Sequence, residues 1–282
     1  MVKLDNVTEG VLDVINDNKF SQTGAFNLRE NGTSICHGDS EHIKIKKKTD
    51  KPGIDIYIDG KTDGEAVYIP VVLSKSGMTD LVYNDFYVED GADVRIVAGC
   101  GIHNSGCNES RHDGIHTFHV GKNANVRYEE KHYGEGDGRG KQVMNPTTIV
   151  HLAEGAQMEM ETTQIKGVDS TVRTTNAKLG PRATLIIREK VMTHGRQLAK
   201  SDFTVDLDGE DCHTNVISRS VAKDQSRQVF LARINGNAPC YGHSECDAII
   251  MDQGVVSAIP EVTANCLDAQ LVHEAAIGKI AG

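Results

Sequence analysis

Tryptophan is absent from this chain of 282 residues, and Phe, Trp and Tyr together make up 5% of it. So few rings argue against a core built on aromatic side chains and against a sugar-stacking surface. No apolar run approaches the length of a membrane span, so a soluble protein is expected. Basic residues are also in deficit, with 30 Lys and Arg against 40 Asp and Glu and a formal net charge of −10. Since the only lysine-rich segment, 44–51, is short, no nucleic-acid partner is expected.

Cysteine pairs at the spacing of a zinc ribbon are missing too, although the chain has seven cysteines. Their number is odd, and the first residues lack the apolar stretch of a secretion signal. A secreted disulfide framework is therefore not expected, and the pattern predicts free thiols in a cytoplasmic protein. The cysteines are Cys36, Cys100, Cys107, Cys212, Cys240, Cys246 and Cys266.

Proline is scarce, with six residues, and a turn followed by a small residue and an alternating strand recurs along the chain. The spacings between successive markers are 32, 32, 27, 28, 27 and 31 residues. A repeat of this length with strand alternation predicts an all-β solenoid, a parallel β-helix whose strands stack one repeat apart. The alternative is a β-sandwich of evenly spaced hairpins, but Asn-Gly turns are too few to connect all the strands. The markers are Ala92, Ala124, Ala156, Ala183, Asp211, Ala238 and Ala269.

The N-terminal quarter has a different character, which divides the chain into a lead-in at 1–64 and a β-helix core at 65–282. Within the lead-in, residues 7–18 have the pattern of a short amphipathic helix, with Thr8 as its cap. Two or three irregular strands are expected between this helix and the core.

Alternation places Cys100 in an inward column that begins at Ala92, and it places Glu130 and His132 inward one turn later. Cys100 and His132 are 32 residues apart, one repeat, so the β-helix predicts a thiol beside an imidazole. Charged and imidazole side chains are unusual inside a core, which makes them candidates for lining a polar channel. The alternative is that Cys100 is an ordinary small core residue.

A second candidate site lies near the end of the sequence, in the segment QLVHEAAIGKI at 270–280. His273 and Glu274 follow Cys246 by 27 and 28 residues, about one repeat, which predicts that they are neighbours. A zinc-protease helix is excluded because HExxH would need His where Ile277 stands. Either His273 or Glu274 faces inward with Cys246, and the alternation alone leaves this open. Cys246 as a plain core residue is the alternative.

The segment from Cys100 to His119 holds two cysteines and four histidines. Cys107, His103 and His116 are secondary candidates for binding a metal. Their spacing fits no standard zinc module, and the alternative is an exposed polar loop with incidental histidines.

Several motifs resemble the SufB/SufD family, the scaffold subunits of the SUF machinery for iron–sulfur cluster assembly. The most specific are GHSECDAIIMD at 242–252, AIPEVTAN at 258–265 and AQLVHEAAIGKI at 269–280. AGCGIHNSGC at 98–107 and SRSVAKDQS at 218–226 are similar to short archaeal or clostridial members. The resemblance covers roughly residues 65–282 and implies a right-handed parallel β-helix.

The resemblance also implies roles for these residues. Cys246, His273 and Glu274 match the positions at which relatives assemble a transient cluster, of the 2Fe-2S or 4Fe-4S type, and Cys100 matches a cysteine that takes up sulfur. The presence of Cys246 and Glu274 makes the chain SufB-like, since SufD-type partners lack both. Expected partners are a SufC-like ATPase, a second copy of the chain or a SufD-like subunit, a cysteine desulfurase as sulfur donor, and recipient apo iron–sulfur proteins. In relatives the core continues into helices that bind SufC, and these are expected beyond Gly282.

Two other functions compete with a scaffold. A polysaccharide lyase or hydrolase on a β-helix would need aromatic platforms and usually secretion, neither of which the sequence offers. A β-solenoid interaction module without cluster chemistry is the remaining alternative. No motif for ATP hydrolysis is present, so the chain is expected not to be an enzyme, and ATPase activity is expected in a partner.

Overall fold

The computed structural model describes residues 2–280, which form one helix and twenty-one strands. The helix α1 spans Asn6–Ile15. The strands are β1 Ala25–Glu30, β2 Thr33–Gly38, β3 Ile43–Lys47, β4 Gly53–Ile58, β5 Asp63–Tyr68, β6 Val71–Leu73, β7 Thr79–Val88, β8 Asp93–His103, β9 Ser110–Val120, β10 Asn125–Glu135, β11 Gln142–Met144, β12 Thr147–Leu152, β13 Gln157–Lys166, β14 Ser170–Leu179, β15 Thr184–Thr193, β16 Leu198–Leu207, β17 Cys212–Ala222, β18 Arg227–Gly236, β19 Cys240–Met251, β20 Val255–Ala264 and β21 Gln270–Ile280. Within 2–280, no helix is long and apolar enough to cross a bilayer.

The strands form two stacked parallel sheets that wind as a solenoid of about eight turns. The first sheet runs β2-β1-β5-β8-β10-β13-β15-β17-β19-β21, and the second runs β20-β18-β16-β14-β11-β9-β7-β4-β3. Successive strands of the chain alternate between the sheets, so each strand pairs with the one a full turn away. The predicted all-β parallel solenoid with a short N-terminal helix is therefore confirmed, and the hairpin sandwich is wrong.

Strand pairing follows the repeat that the sequence predicts. Val94 pairs with Val126, and Val126 pairs with Met158, in both cases across 32 residues. Two marker positions are corrected, because the register aligns Ala183, Cys212 and Cys240 in one column. Asp211 lies in the preceding turn with a positive φ of 57°, a conformation that Asp tolerates better than most residues. The buried small residue of that turn is thus Cys212, and the next is Cys240 rather than Ala238.

The N-terminal helix begins two residues earlier than predicted and ends at Ile15, and its cap is Asp5 rather than Thr8. The Asp5 carboxylate accepts a hydrogen bond from the Thr8 backbone amide at 2.7 Å, which satisfies an amide that the first turn leaves free. This bond is the leading reason that the pKa of Asp5 is lowered. The helix packs on the outer face of β8, where Gly99 leaves room for Ile15.

The two sheets continue into the segment predicted as the lead-in. β1 pairs in parallel with β5, and β4 pairs in parallel with β7, while the hairpins β1–β2 and β3–β4 close that end of the solenoid. Sheet continuity therefore reaches back to residue 25, and the division of the chain at residue 64 stays a prediction.

The interior changes character along each strand of the first sheet. The first inward positions are apolar, as in Val126 and Leu185, and belong to a core that runs the length of the solenoid. Farther along the same strands the inward positions carry Glu130, His132 and Glu189, each at most 4% exposed. The solenoid therefore holds a polar region inside an apolar shell, and this region contains most of the predicted site residues.

Candidate functional site

Cys100 lies between two imidazoles inside the solenoid. His132 is its register partner on β10, and His112 reaches it from β9 of the second sheet; the thiol is in hydrogen-bonding contact with both. Burial opposes ionisation of the thiol, but His112 and then His132 outweigh it and lower the pKa of Cys100 to about 7. The predicted contact between Cys100 and His132 is therefore present, and the arrangement favours a reactive thiolate.

His112 is held by a buried carboxylate behind it. Asp80 is its register partner on β7, and Asp80 Oδ2 lies 3.1 Å from His112 Nδ1. Arg29 donates from Nε to Asp80 Oδ2 at 2.9 Å and from Nη2 to Asp80 Oδ1 at 2.6 Å. Burial favours neutral imidazole, but Cys100 and Asp80 together raise the pKa of His112 to about 10. Burial is likewise outweighed at Asp80, whose pKa is held well below its usual range by Arg29 and His112.

His132 leads to a second set of buried charges. Its Nε2 lies 3.5 Å from Glu130 Oε1, and Glu130 forms a short ion pair with Arg173 Nη1 from β14. Burial disfavours the carboxylate form, yet Arg173 first and His132 next keep the pKa of Glu130 well below its usual value. Tyr128 donates to Glu130 Oε1 at 3.2 Å, so this carboxylate is fully bound inside the core.

The polar contacts continue toward Cys246. Arg173 Nε lies 3.7 Å from Glu189 Oε1, and Ser218 donates to Glu189 Oε2 at 2.8 Å. Ser218 is the register partner of Cys246 on β19. We call the resulting chain of buried side chains the polar track; it covers five strand steps, β8 to β19, or about 24 Å at about 4.8 Å per step. It consists of Arg29, Asp80, His112, Cys100, His132, Glu130, Arg173, Glu189, Ser218 and Cys246.

Cys246 points into the solenoid beneath the last turn and is 2% exposed. Burial raises its pKa to about 11, with Glu189 as the next cause, so this cysteine is a protonated thiol in the isolated chain. Its environment contrasts with that of Cys100. The two ends of the polar track therefore hold one activated thiol and one dormant thiol.

The predicted direct contact between Cys246 and the His273–Glu274 pair is wrong in register by two residues. Cys246 pairs with Ala275, and His273 pairs with Ser244. His273 shares the face of Cys246, two positions along the strand, so their Cα atoms are about 8 Å apart from a spacing of about 4.8 Å and a rise of about 3.3 Å per residue. The sequence spacing missed this because the turn before β21 is longer than the turns before β17 and β19.

Glu274 faces away from Cys246. It pairs with Glu245 on the outer side of the sheet, and its Oε1 lies 3.6 Å from His243 Nε2. The side chain of Glu274 is 68% exposed, and β21 is an edge strand with no partner beyond it in 2–280. Of the two residues left open by the sequence, His273 therefore has inward parity and Glu274 outward parity.

The three secondary metal candidates do not come together. His103 lies at the end of β8, with Nδ1 3.2 Å from Glu135 Oε1, while Cys107 is exposed in the following loop. His116 is buried, with Nδ1 2.8 Å from the Tyr128 hydroxyl, and burial lowers its pKa to about 4. Over 2–280, no three His, Cys, Asp or Glu side chains converge closely enough to hold a metal ion.

A cavity of about 640 Å³ opens at the N-terminal end of the solenoid, between the hairpins β1–β2 and β3–β4. We call it the mouth. Arg29 and Asn84 line its inner part, and His37, Lys47 and Lys51 line its outer part. Because Arg29 also holds Asp80, the mouth adjoins the end of the polar track nearest Cys100.

Sequence reasoning did not find Arg29, Asp80, Arg173 or Glu189. A signal existed for Glu189, since the register column Glu130, Thr162, Glu189, Ser218, Cys246 is polar at each step. Asp80 and His112 are also one 32-residue repeat apart. Arg29 gave no signal, because it belongs to an irregular segment outside the repeat.

Comparison with known proteins agrees with the resemblance. Residues 74–282 match the family model described as "SUF system FeS cluster assembly, SufBD core domain". A relative named "Iron-sulfur cluster assembly SufBD family protein" from Archaeoglobus fulgidus is 28% identical, over 84% of this chain and 64% of its own length. A relative with a similar name from Methanocaldococcus jannaschii is 24% identical, over 98% of this chain and 90% of its own length. A third, from Pyrococcus horikoshii, is 26% identical over 60% of this chain and 51% of its own length. The chain thus spans less than two thirds of the Archaeoglobus and Pyrococcus relatives.

Proposed function

We propose, from the premise that the chain belongs to the SufBD family of the SUF iron–sulfur cluster assembly system, that it is the scaffold subunit on which a nascent cluster is built. In this proposal Cys100 takes up sulfur, the polar track carries it through the solenoid, and Cys246 receives it where iron is bound. The cluster is cargo, of the 2Fe-2S or 4Fe-4S type, and leaves for a recipient protein.

The observation that supports the proposal best is the continuity of the polar track. Buried charges are costly, so an ordinary core would not place Glu130, Arg173 and Glu189 in one line between two cysteines. The same line starts at a thiol whose pKa is lowered and ends at one whose pKa is raised. A persulfide or hydrosulfide is polar and anionic, and Arg173 offers it a positive charge halfway.

The cluster end of the scaffold is incomplete within one chain. Cys246 and His273 share one face of the last turns, while Glu274 lies on the other face at the open edge of the sheet. A site shared with a second copy, or with a SufD-like subunit, brings further ligands to this edge. A mixed set of few thiolates with nitrogen and oxygen ligands holds iron less firmly than four thiolates, which suits a scaffold that must release its cluster.

The last turn also has the surface that such pairing needs. β20 and β21 are the edge strands of the two sheets, and free strand edges readily pair with another chain. Apolar side chains on these strands are exposed, including Ile259 at 51% and Val272 at 42%. We propose that this end forms the dimer interface, that a SufC-like ATPase supplies the energy step, and that a cysteine desulfurase supplies sulfur in the cytoplasm.

Anaerobic reconstitution with ferrous iron and sulfide tests the function. The wild-type chain is expected to retain iron and acid-labile sulfide in a coloured, oxygen-sensitive form through gel filtration. Cys246→Ala is expected to lose it. Cys240→Ala is the matched control, since Cys240 is a buried cysteine of the same strand that lies outside the polar track. Equal retention by Cys246→Ala, or no iron on the wild-type chain, contradicts the proposal.

A further inference from the structure

Two imidazoles contact the Cys100 thiol, but they are not equivalent. His112 Nδ1 lies 3.1 Å from Asp80 Oδ2, which leaves Nε2 for the thiol, and Nε2 has no nitrogen or oxygen partner among residues 2–280. His132 makes a longer contact, 3.5 Å, to a carboxylate that is already ion-paired with Arg173. A thiol, an imidazole and a carboxylate therefore stand in line as Cys100, His112 and Asp80.

The line is rigid and enclosed. Asp80 and His112 are register partners on adjacent strands, both 3% exposed, and Arg29 holds both oxygens of Asp80. Around Cys100 the remaining neighbours are apolar, since Val71, Ile102 and Met144 pack in the same cluster. Orientation of a base by a third group is the arrangement that activates cysteine nucleophiles in enzymes of other folds.

We propose that Asp80 and His112 activate Cys100 as the nucleophile that accepts sulfane sulfur from a persulfide, with Arg29 as a positioning residue for Asp80. This inference rests on the proposed scaffold function and names the reaction at its first cysteine. His112 removes the thiol proton, and the Cys100 thiolate attacks the outer sulfur of the donor persulfide. The donor S–S bond breaks as the new S–S bond forms, so Cys100 becomes a persulfide. The donor leaves as a thiolate and takes the proton from His112, and no further oxidant or reductant is consumed.

The mouth provides the approach for such a donor. Its lining carries Arg29, Lys47, Lys51 and His37 against the single carboxylate of Asp50, so it favours an anion. At about 640 Å³ it accommodates a free amino-acid persulfide or the tip of a protein loop that carries one. Both sources present the same chemistry, a persulfide anion, to the same end of the polar track.

Other titratable groups near Cys100 bear on its pH dependence. His132 contacts the thiol from β10, with Glu130 and Tyr128 of the same strand behind it. Arg173 of β14 faces Glu130, and Arg29 of β1 faces Asp80. The two carboxylates are each neutralised by an arginine, so the imidazolium of His112 is the positive charge in direct contact that favours the thiolate.

Thiolate absorbance near 240 nm measures this without requiring access to the buried sulfur. The Cys100 signal is the difference between each protein and the same protein with Cys100→Ser. Wild-type Cys100 is expected to ionise at a pH of about 7. With His112→Gln or Asp80→Asn, the fraction of thiolate at neutral pH is expected to fall more than tenfold. His132→Gln is the matched control and is expected to have the smaller effect.

Sulfur uptake gives the functional readout. Each variant is incubated with cysteine persulfide or with a persulfidated cysteine desulfurase, and the extra sulfur on the Cys100 peptide is measured by mass spectrometry. The loss in His112→Gln is expected to exceed tenfold at neutral pH and to be largely restored at pH 9, where the thiol ionises unaided. Uptake from only one donor identifies the source and supports the relay, whereas uptake from neither overturns it.

Three results overturn the assignment: unchanged uptake in His112→Gln, a loss that pH 9 does not restore, or a larger effect of His132→Gln. If His112→Gln does not fold, Asp80→Asn keeps the imidazole and serves for the same measurements. Reconstitution with free sulfide bypasses the transfer and separates the two proposals. His112→Gln that builds a cluster from free sulfide leaves the scaffold function intact, and a wild-type chain that builds none refutes the function whatever its uptake.

Discussion

Replacing Arg173 by Met tests whether the polar track is ionised. The Arg173 side chain is 4% exposed and lies between Glu130, with which it forms a close ion pair, and Glu189, 3.7 Å from its Nε. The variant leaves two buried carboxylates without their cation. Removing one partner of a buried ion pair costs about 3–5 kcal/mol of folding free energy, because the remaining charge has lost both water and counterion.

The cost depends on pH in a way that follows from the pKa of Glu130. In the wild type this pKa is depressed, so the stabilisation is present above the unfolded value of about 4.3 and is lost as the pH falls through the folded value. Without Arg173, burial dominates and the folded pKa of Glu130 rises above the unfolded value. The variant is then stable while Glu130 is protonated and loses stability as the pH rises. The difference between the two proteins is thus largest near pH 8 and smallest near pH 4.

Urea unfolding, followed by circular dichroism between pH 4 and pH 8, measures this difference. Arg188→Met is the matched control, since the half-exposed Arg188 pairs with Glu159 on the outer face, and it should cost less than about 1 kcal/mol. Adding Glu130→Gln to Arg173→Met should recover a large part of the loss. A cost of Arg173→Met that is below about 1 kcal/mol, or that is the same at every pH, refutes the ionised track.

Two further predictions concern the surfaces of the solenoid. Gly99→Ala places a Cβ 2.8 Å from Ile15 Cβ and 2.9 Å from Ile15 O, so α1 is expected to lose about 1–3 kcal/mol of docking energy and to become sensitive to proteolysis. Gly278→Ala meets nothing within 4 Å and should leave cleavage unchanged; equal cleavage of both variants would count against the packing. Ile259→Lys combined with Val272→Lys is expected to shift sedimentation from dimer to monomer, because it places two charges on the proposed interface. Leu81→Lys, at a similarly exposed residue on a middle turn, should leave the dimer intact, and a dimer that survives the double change places the interface elsewhere.

The repeat made the fold accessible from sequence, because strand alternation and turn spacing are local properties that appear in one dimension. The inward direction of Cys100, Glu130, His132 and Cys246 followed from parity alone and is confirmed by their burial. Parity could not be carried across every turn, however. Asp211 was assigned to a column that Cys212 occupies, because an extra residue in the turn cannot be told from the first residue of a strand.

The candidate site was only partly accessible for a related reason. Contacts within one sheet, such as Cys100 with His132, depend on the repeat and were predicted. Contacts between the sheets, such as His112 with Cys100 and Arg173 with Glu130, depend on how the two sheets face each other, which no spacing in the sequence encodes. The register of His273 failed because a turn of different length moved β21 by two residues against β19.

The claim at the centre of this account is that iron binds at Cys246 at the open end of the solenoid. Anomalous X-ray diffraction at the iron edge, from anaerobic crystals of the reconstituted protein, locates the metal directly. The account predicts an iron peak at bonding distance from the Cys246 sulfur, at the edge formed by β20 and β21, with a second chain beside it. Iron bound instead near Cys107 and His103, or elsewhere with Cys246 free, would contradict it.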